Sequence, residues 1–231
     1  MSKYFLSIII PVYNEEKYIL KCLLNLNKIK KRGYQIIVIN DGSKDNTNNI
    51  LRSNRHLYDD YISYDKNKGK GYAFREGLKK AKGNITIIQD GDLEYNPKDI
   101  TKIINYMLKN SYDAVYGSRL IHKNKNKFIS RKRIFFNILL TKFSNLLNNQ
   151  SLTDAHTCYK AIKTNIYKKL RLNSRGFELC VEINSKLSKR GIEIYEVPIS
   201  FNGRGAREGK KIKTSDGLKA LYKILRIKIS L

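Results

Sequence analysis

Apolar positions in this chain fall into short unbroken runs separated by stretches of helical spacing. The runs predict strands near residues 5–12, 34–40, 60–65, 84–90, 112–117, 158–163 and 192–200. The stretches between them predict helices over 16–28, 44–54, 69–81, 97–109, 131–148, 165–170, 177–190 and 214–227. Strands alternating with helices indicate βαβ units, hence an α/β fold with a Rossmann-like, mainly parallel central sheet flanked by helices. No Pro- or Gly-rich linker breaks the alternation, so one domain is expected over residues 1–231. Two late segments, Ile134–Leu147 and Gly217–Ile229, combine apolar and basic positions in a way that suits either a core-packing helix or one lying on a membrane surface.

The strand ends carry the chemistry. The first strand runs into Pro11-Val-Tyr13-Asn-Glu15-Glu16, the second ends in Asp41-Gly42-Ser43, and the fourth ends in Asp90-Gly91-Asp92. Asp45 or Asn46 can cap the helix after the second strand. In an open α/β sheet such turns share one edge, where ligands bind. Paired carboxylates like Asp90 and Asp92 suit a hard divalent ion, Mg2+ or Mn2+, that also holds phosphates. Asp and Gly are also ordinary turn residues, so one such turn alone is equally well read as a turn.

The set Ile-Pro-Val-Tyr-Asn-Glu-Glu, Asn-Asp-Gly-Ser-x-Asp-x-Thr and Asp-Gly-Asp resembles the family 2 glycosyltransferases of the GT-A fold. Gly117-Ser-Arg119, Thr153-Asp154-Ala-His-Thr-Cys-Tyr-Lys160, Gly176-Phe-Glu-Leu-Cys-Val-Glu182 and Glu196-Val-Pro-Ile-Ser200 make it similar to the dolichyl- and polyprenyl-phosphate sugar synthases within that family. The resemblance runs from about Ser7 to about Leu225, with the motifs in family order. It implies a nucleotide-sugar-binding half, 1–118, and an acceptor-binding half, 119–231. It also implies a nucleotide-sugar donor, a polyprenyl or dolichyl phosphate acceptor and a Mg2+ or Mn2+ cofactor. Pro11, Tyr13, Glu15, Asp41, Asp90 and Gly91 would then bind the donor, with Asp90, Asp92 and Glu94 at the metal. Arg204 and Lys210 would contact the diphosphate, with Lys211 as the neighbouring register. Arg119 and Arg131, or Arg133 for the latter, would hold the acceptor phosphate. Asp154 would serve as a general base only toward a hydroxyl acceptor, and otherwise would orient a helix or bind the sugar. His156 is a chemically competent proton shuttle and equally a structural histidine.

Composition narrows the setting. The chain has 231 residues, 41% of them hydrophobic, enough for a sizeable core. Lys, Asn and Ile abound, as in proteins of AT-rich genomes, where codon bias alone raises basicity. Cys22, Cys158 and Cys180 lack metal-ligand spacing and read as buried free thiols in a reducing cytoplasm. Neither a signal peptide nor a membrane-spanning run is evident, although several members of the resembled group carry C-terminal membrane segments. The expected location is therefore the cytoplasmic face of a membrane, with a separate membrane-anchoring partner as a further expectation. The formal net charge is +26. Residues 114–153 hold eight Lys/Arg and no acid, and 203–231 hold nine against Glu208 and Asp216. Such a field favours anionic partners: a nucleotide sugar, a lipid phosphate or an anionic membrane. Nucleic acid is not expected, since no zinc, RRM-type or helix-turn-helix signature accompanies the charge. Two chemistries remain open for an inverting enzyme of this kind, transfer to a lipid phosphate or transfer to a hydroxyl of a soluble glycan.

Overall fold

The computed structural model describes residues 4–31, 33–122, 126, 131–204 and 214–229; the side chains of 131–133, 214–220 and 229 lie outside that description. Its centre is a seven-stranded sheet: β1 (Leu6–Val12), β2 (Tyr34–Asp41), β3 (Asp60–Tyr64), β4 (Ile85–Ile88), β5 (Ala114–Ser118), β6 (Lys160–Lys163) and β7 (Tyr195–Pro198). The strands lie in the order β3-β2-β1-β4-β6-β5-β7. All eight residues of β2 are buried, as are six of the seven in β1. That is why these strands read as unbroken apolar runs: a central strand covered on both faces has no polar side to alternate with.

Pairing is parallel through β3, β2, β1 and β4, and again between β5 and β7. β6 is antiparallel to both β4 and β5, so the sheet is mixed. The expectation of a mainly parallel sheet holds with that one reversal. The reversal matters for the site. β6 begins at the edge where the other strands end, so the segment leading into it, 149–159, returns to the same rim as the acidic turns.

Helices α1 (Ile19–Ile29), α2 (Thr47–Ser53), α3 (Lys70–Lys80) and α4 (Lys98–Lys109) belong to the first half of the chain, and a 3-10 turn spans Arg55–Leu57. α3 packs on β1 and β2 at very short range. A Cβ at Gly77 would stand 2.5 Å from Ile9 Cγ2 and 2.7 Å from Ile39 Cδ1, closer than side chains tolerate. Later come α5 (Arg131–Asn148), α6 (Thr164–Lys169), α7 (Leu179–Ser188) and α8 (Thr214–Ile229). α5, α7 and α8 form a satellite in which Val181 and Ile224 are buried against Phe143 and Leu147.

Two expectations need correction here. α1 starts at Ile19 rather than residue 16, because Glu15–Tyr18 form a turn whose amides serve the neighbouring loop. Cys22 and Cys158 are buried free thiols as expected, but Cys180 is partly exposed.

Candidate active site

Two loops at the rim are laced together by reciprocal hydrogen bonds. After β1, Asn14 donates its amide to Ser43 Oγ at 3.0 Å, and its side-chain oxygen accepts from Lys44 N at 2.7 Å. Glu15 N donates to Thr47 Oγ1 at 2.8 Å. Glu16 N donates to Asp45 Oδ2 at 3.2 Å, while Asn46 N returns a bond to Glu16 Oε2 at 2.9 Å. The Ser, Asp and Thr of the second acidic motif are therefore braces for the first. Burial works against the charge of Asp45, but bonds from Thr47 and Glu16 hold its pKa below the usual value.

Asp41, at the end of β2, is 2% exposed. Its two oxygens accept from Lys68 N and Gly69 N, both at 2.8 Å. This carboxylate fixes the loop entering α3. Gly69 sits there at φ +100, and a Cβ on it would meet Arg175 O at 2.3 Å. Only glycine fits both conditions.

The Asp90–Gly91–Asp92 turn follows β4. Asp90 Oδ1 accepts from Lys70 Nζ at 2.5 Å. Burial raises the pKa of Asp90, but the adjacent ammonium outweighs it and the carboxyl stays below its ordinary value. Leu93 turns the chain at φ +61, unusual for a branched side chain, and Glu94 N bonds back to Asp92 Oδ1 at 3.1 Å. An isolated bridge pairs Tyr95 with Phe201, and Asn202 N donates to Glu94 O at 2.9 Å. These contacts deliver Arg204 into the acidic turn. Its backbone N donates to Glu94 Oε1 at 2.6 Å. Its guanidinium reaches Glu15 at 3.0 and 3.2 Å and Asp92 Oδ2 at 2.8 Å. Burial, followed by the charges of Asp90 and Glu94, pushes the pKa of Asp92 up to about 7 despite Arg204.

Four carboxylates, Glu15, Asp90, Asp92 and Glu94, thus share a small volume with two cations, Lys70 and Arg204. Among the described residues no three acidic, His or Cys side chains are grouped so as to hold an ion by themselves. That suits a Mg2+-like ion, which usually takes one or two carboxylates and fills its remaining positions with substrate phosphates and water. One or two of Asp90, Asp92 and Glu94 would supply the hard oxygen donors that such an ion takes. Pro11, Tyr13 and Gly91 stand on the same rim, Pro11 and Tyr13 partly exposed and Gly91 buried.

A second centre joins β5 to the segment before β6. Arg119 clasps Asp154 through Nε at 2.6 Å and Nη2 at 2.8 Å, and also donates its backbone N at 3.1 Å. Asp154 is fully buried. Burial opposes its charge, yet the Arg119 guanidinium keeps its carboxyl below the ordinary range. Glu196 on β7 accepts the Thr153 and Asp154 amides at 2.6 and 3.0 Å, which holds the turn in place. The guanidinium of Arg119 lies 5.1 Å from the Phe201 ring centre. Burial lowers the pKa of His156 to about 4, so the imidazole is neutral at physiological pH. Arg131 opens α5, but its side chain and that of Arg133 lie outside the described residues, as do Lys210 and Lys211.

Two contributors escaped the sequence reading. Lys70 stands between Gly69 and Gly71 at a helix start, and that Gly-Lys-Gly signal was available. Glu196 lies in a quoted motif, but nothing in one dimension tells that its carboxylate anchors a turn more than forty residues earlier.

Comparison with known proteins places these features. A family model for glycosyl transferase family 2 matches residues 7–171. The UDP-N-acetylglucosamine–dolichyl-phosphate N-acetylglucosaminyltransferase of Methanococcus voltae is 29% identical over 99% of this chain and 98% of that protein. The dolichol-phosphate mannosyltransferase of Pyrococcus furiosus is 29% identical over 95% of this chain and 63% of that protein. Among solved structures, glucosyl-3-phosphoglycerate synthase from Mycobacterium tuberculosis, in complex with Mn2+, UDP-glucose and phosphoglyceric acid, superposes with a TM-score of 0.76 at 14% identity. That likeness covers 97% of this chain and 80% of the other, and establishes the GT-A fold.

Proposed function

The chain belongs to glycosyl transferase family 2, and from that premise we propose that it moves a sugar from a UDP- or GDP-linked donor to the phosphate of a polyprenyl or dolichyl lipid, with inversion at the anomeric carbon. Glycosyl transfer itself follows from the family. The lipid phosphate is supported by relatives named for dolichyl-phosphate acceptors, which match this chain almost end to end.

The observation that carries the choice of acceptor is the Arg119–Asp154 pair. A hydroxyl nucleophile needs a general base, and Asp154 is the candidate by motif. A fully buried carboxylate clasped by a guanidinium has a depressed pKa and little basicity. A phosphate monoester needs no base, because its second pKa lies near 6 and it arrives ionised. Arg119 spends two of its five N–H groups on Asp154, which fixes the plane of its fork and leaves donors for a phosphate. Arg131 is assigned to the same phosphate.

On the donor side, Tyr13 and Pro11 line the nucleoside, with Glu15 accepting from its N–H or hydroxyl groups. Asp41 contributes by fixing the loop at 68–69. Asp90, Asp92 and Glu94 are assigned to a divalent ion, which when bound would neutralise charge developing on the departing diphosphate. Arg204 and Lys210 are assigned to the phosphates themselves. An ionised acceptor held opposite the leaving group reacts in line, a problem of alignment more than of proton transfer. Residues 1–118 would thus serve the donor and 119–231 the acceptor, except that Arg204 and Lys210 reach back to the donor phosphates.

The outer side of α5 supports work at a membrane surface. Its buried positions are polar, Thr141, Ser144 and Asn148, while Phe135, Phe136, Leu139 and Leu146 are 52–80% exposed. Phe143 and Leu147 pack inward on Val181 and Ile224, but the exposed apolar side of the helix suits insertion among lipid headgroups. Among the described residues no helix is long and apolar enough to cross a membrane. We assign the enzyme to the cytoplasmic face.

The test is transfer of label. Full-length protein with Mn2+, radiolabelled UDP- and GDP-sugars and dolichyl or undecaprenyl phosphate should move label into the organic phase. Asp154→Asn should keep measurable turnover and Arg119→Ala should lose it. Label found only in water-soluble glycan, with D154N inactive, would assign the acceptor to a hydroxyl instead.

A further inference from the structure

Arg204 engages three carboxylates at once. Its fork spans both oxygens of Glu15, one Nη also reaches Asp92, and its backbone N holds Glu94. The side chain is 10% exposed, and its guanidinium lies 4.8 Å from the Tyr18 ring centre. The same Asp92 and Glu94 are the residues assigned above to a divalent ion. A buried acidic cluster needs a cation, and here one is supplied from 189 positions along the chain.

We propose that Arg204 is a built-in counter-ion, which a divalent ion must displace from Asp92 before it can bind there, and which then finds a further anion on the donor diphosphate. The proposal rests on the donor-site reading and adds an order to it. A divalent ion alone would have to break the Arg204–Asp92 contact and sit beside a guanidinium still held on Glu15, so repulsion between the two cations keeps its affinity low. A nucleoside diphosphate brings the further anion, so ion and diphosphate favour each other's binding, a coupling that must be reciprocal. Lys70 remains on Asp90 throughout and keeps that carboxylate oriented.

Mn2+ binding without nucleotide tests this, read by isothermal titration and by electron paramagnetic resonance of the free ion. Arg204→Gln should bind Mn2+ alone about tenfold tighter than the wild type, which corresponds to about 1.4 kcal/mol. The further gain in Mn2+ affinity on adding UDP or GDP should shrink correspondingly. Arg204→Lys should fall between the two, since one ammonium cannot span Glu15 and Asp92 as the fork does. If Gln at 204 prevents folding, the lysine variant carries the comparison, and no gain over wild type overturns the proposal. Equal or weaker Mn2+ affinity in R204Q, with Mn2+-dependent UDP or GDP binding intact, overturns the counter-ion role and leaves the donor site standing. No Mn2+ binding to any of the proteins, with or without nucleotide, overturns both.

Discussion

At the scale of single residues, the site is a set of charges that depend on one another. Asp154 is buried with its charge met by one guanidinium, so Arg119→Ala strands it. The expected loss is about 3–5 kcal/mol, measurable by urea unfolding. Adding Asp154→Asn removes the stranded charge, so the double variant should be more stable than R119A alone. Simple additivity of the two losses would show that the pair is not coupled. His156 gives a pH signature. Its pKa is about 4 in the fold against about 6.5 unfolded, so between those values the unfolded chain binds the extra proton. Stability should therefore fall as pH drops from about 6.5 to about 4, by up to about 3 kcal/mol. His156→Asn should flatten that slope; an unchanged slope would locate the titration elsewhere. These pairings were beyond the sequence. The acids at 15, 90, 92 and 94 were legible as a rim cluster because each follows a strand. That Arg204 lands on Glu15, or Arg119 on Asp154, depends on side chains 189 and 35 positions apart, and no local pattern encodes that.

Elements were far more legible, because burial on both faces of a sheet leaves a continuous apolar run. Every strand and helix expected from the pattern has its counterpart in the fold. The direction of β6 was not legible, since four residues, Lys160–Lys163, carry no mark of which way they run. Nor was the outward aim of α5. An apolar stripe looks the same whether it meets core or solvent; here Phe143 and Leu147 face inward with the polar Thr141, Ser144 and Asn148, while Phe135, Phe136 and Leu139 face out. Replacing Phe135, Phe136 and Leu139 by serine should change stability little, by about 0.5 kcal/mol per site, since all three are exposed. Cosedimentation with anionic vesicles should drop at least about tenfold, given about 1.5–3 kcal/mol for each large apolar side chain inserted. Undiminished vesicle binding would remove α5 from the membrane face. A second element-scale test is Gly69→Ala, which forces a methyl group onto Arg175 O at φ +100. It should destabilise the loop that carries Lys70, by more than the roughly 0.4–1 kcal/mol that Gly→Ala gains where the backbone suits alanine, as read by thermal unfolding.

For the whole molecule, the formal charge of +26 sets the long-range field. Vesicle association should weaken steeply between about 0.1 and 1 M salt, where the screening length shrinks from about 10 to about 3 Å. Binding indifferent to salt would make the apolar helix face its sole source. The single domain was legible from the lack of linkers, and the composition foretold the field but not how it is used. The span of the Glu15–Arg204 contact has a consequence for how the protein is made. On the ribosome, Glu15, Asp92 and Glu94 are synthesised long before position 204 appears. The acidic turns and all seven strands are therefore made before the guanidinium that links Glu15 to Asp92, so the sheet can be in place before its pocket is closed.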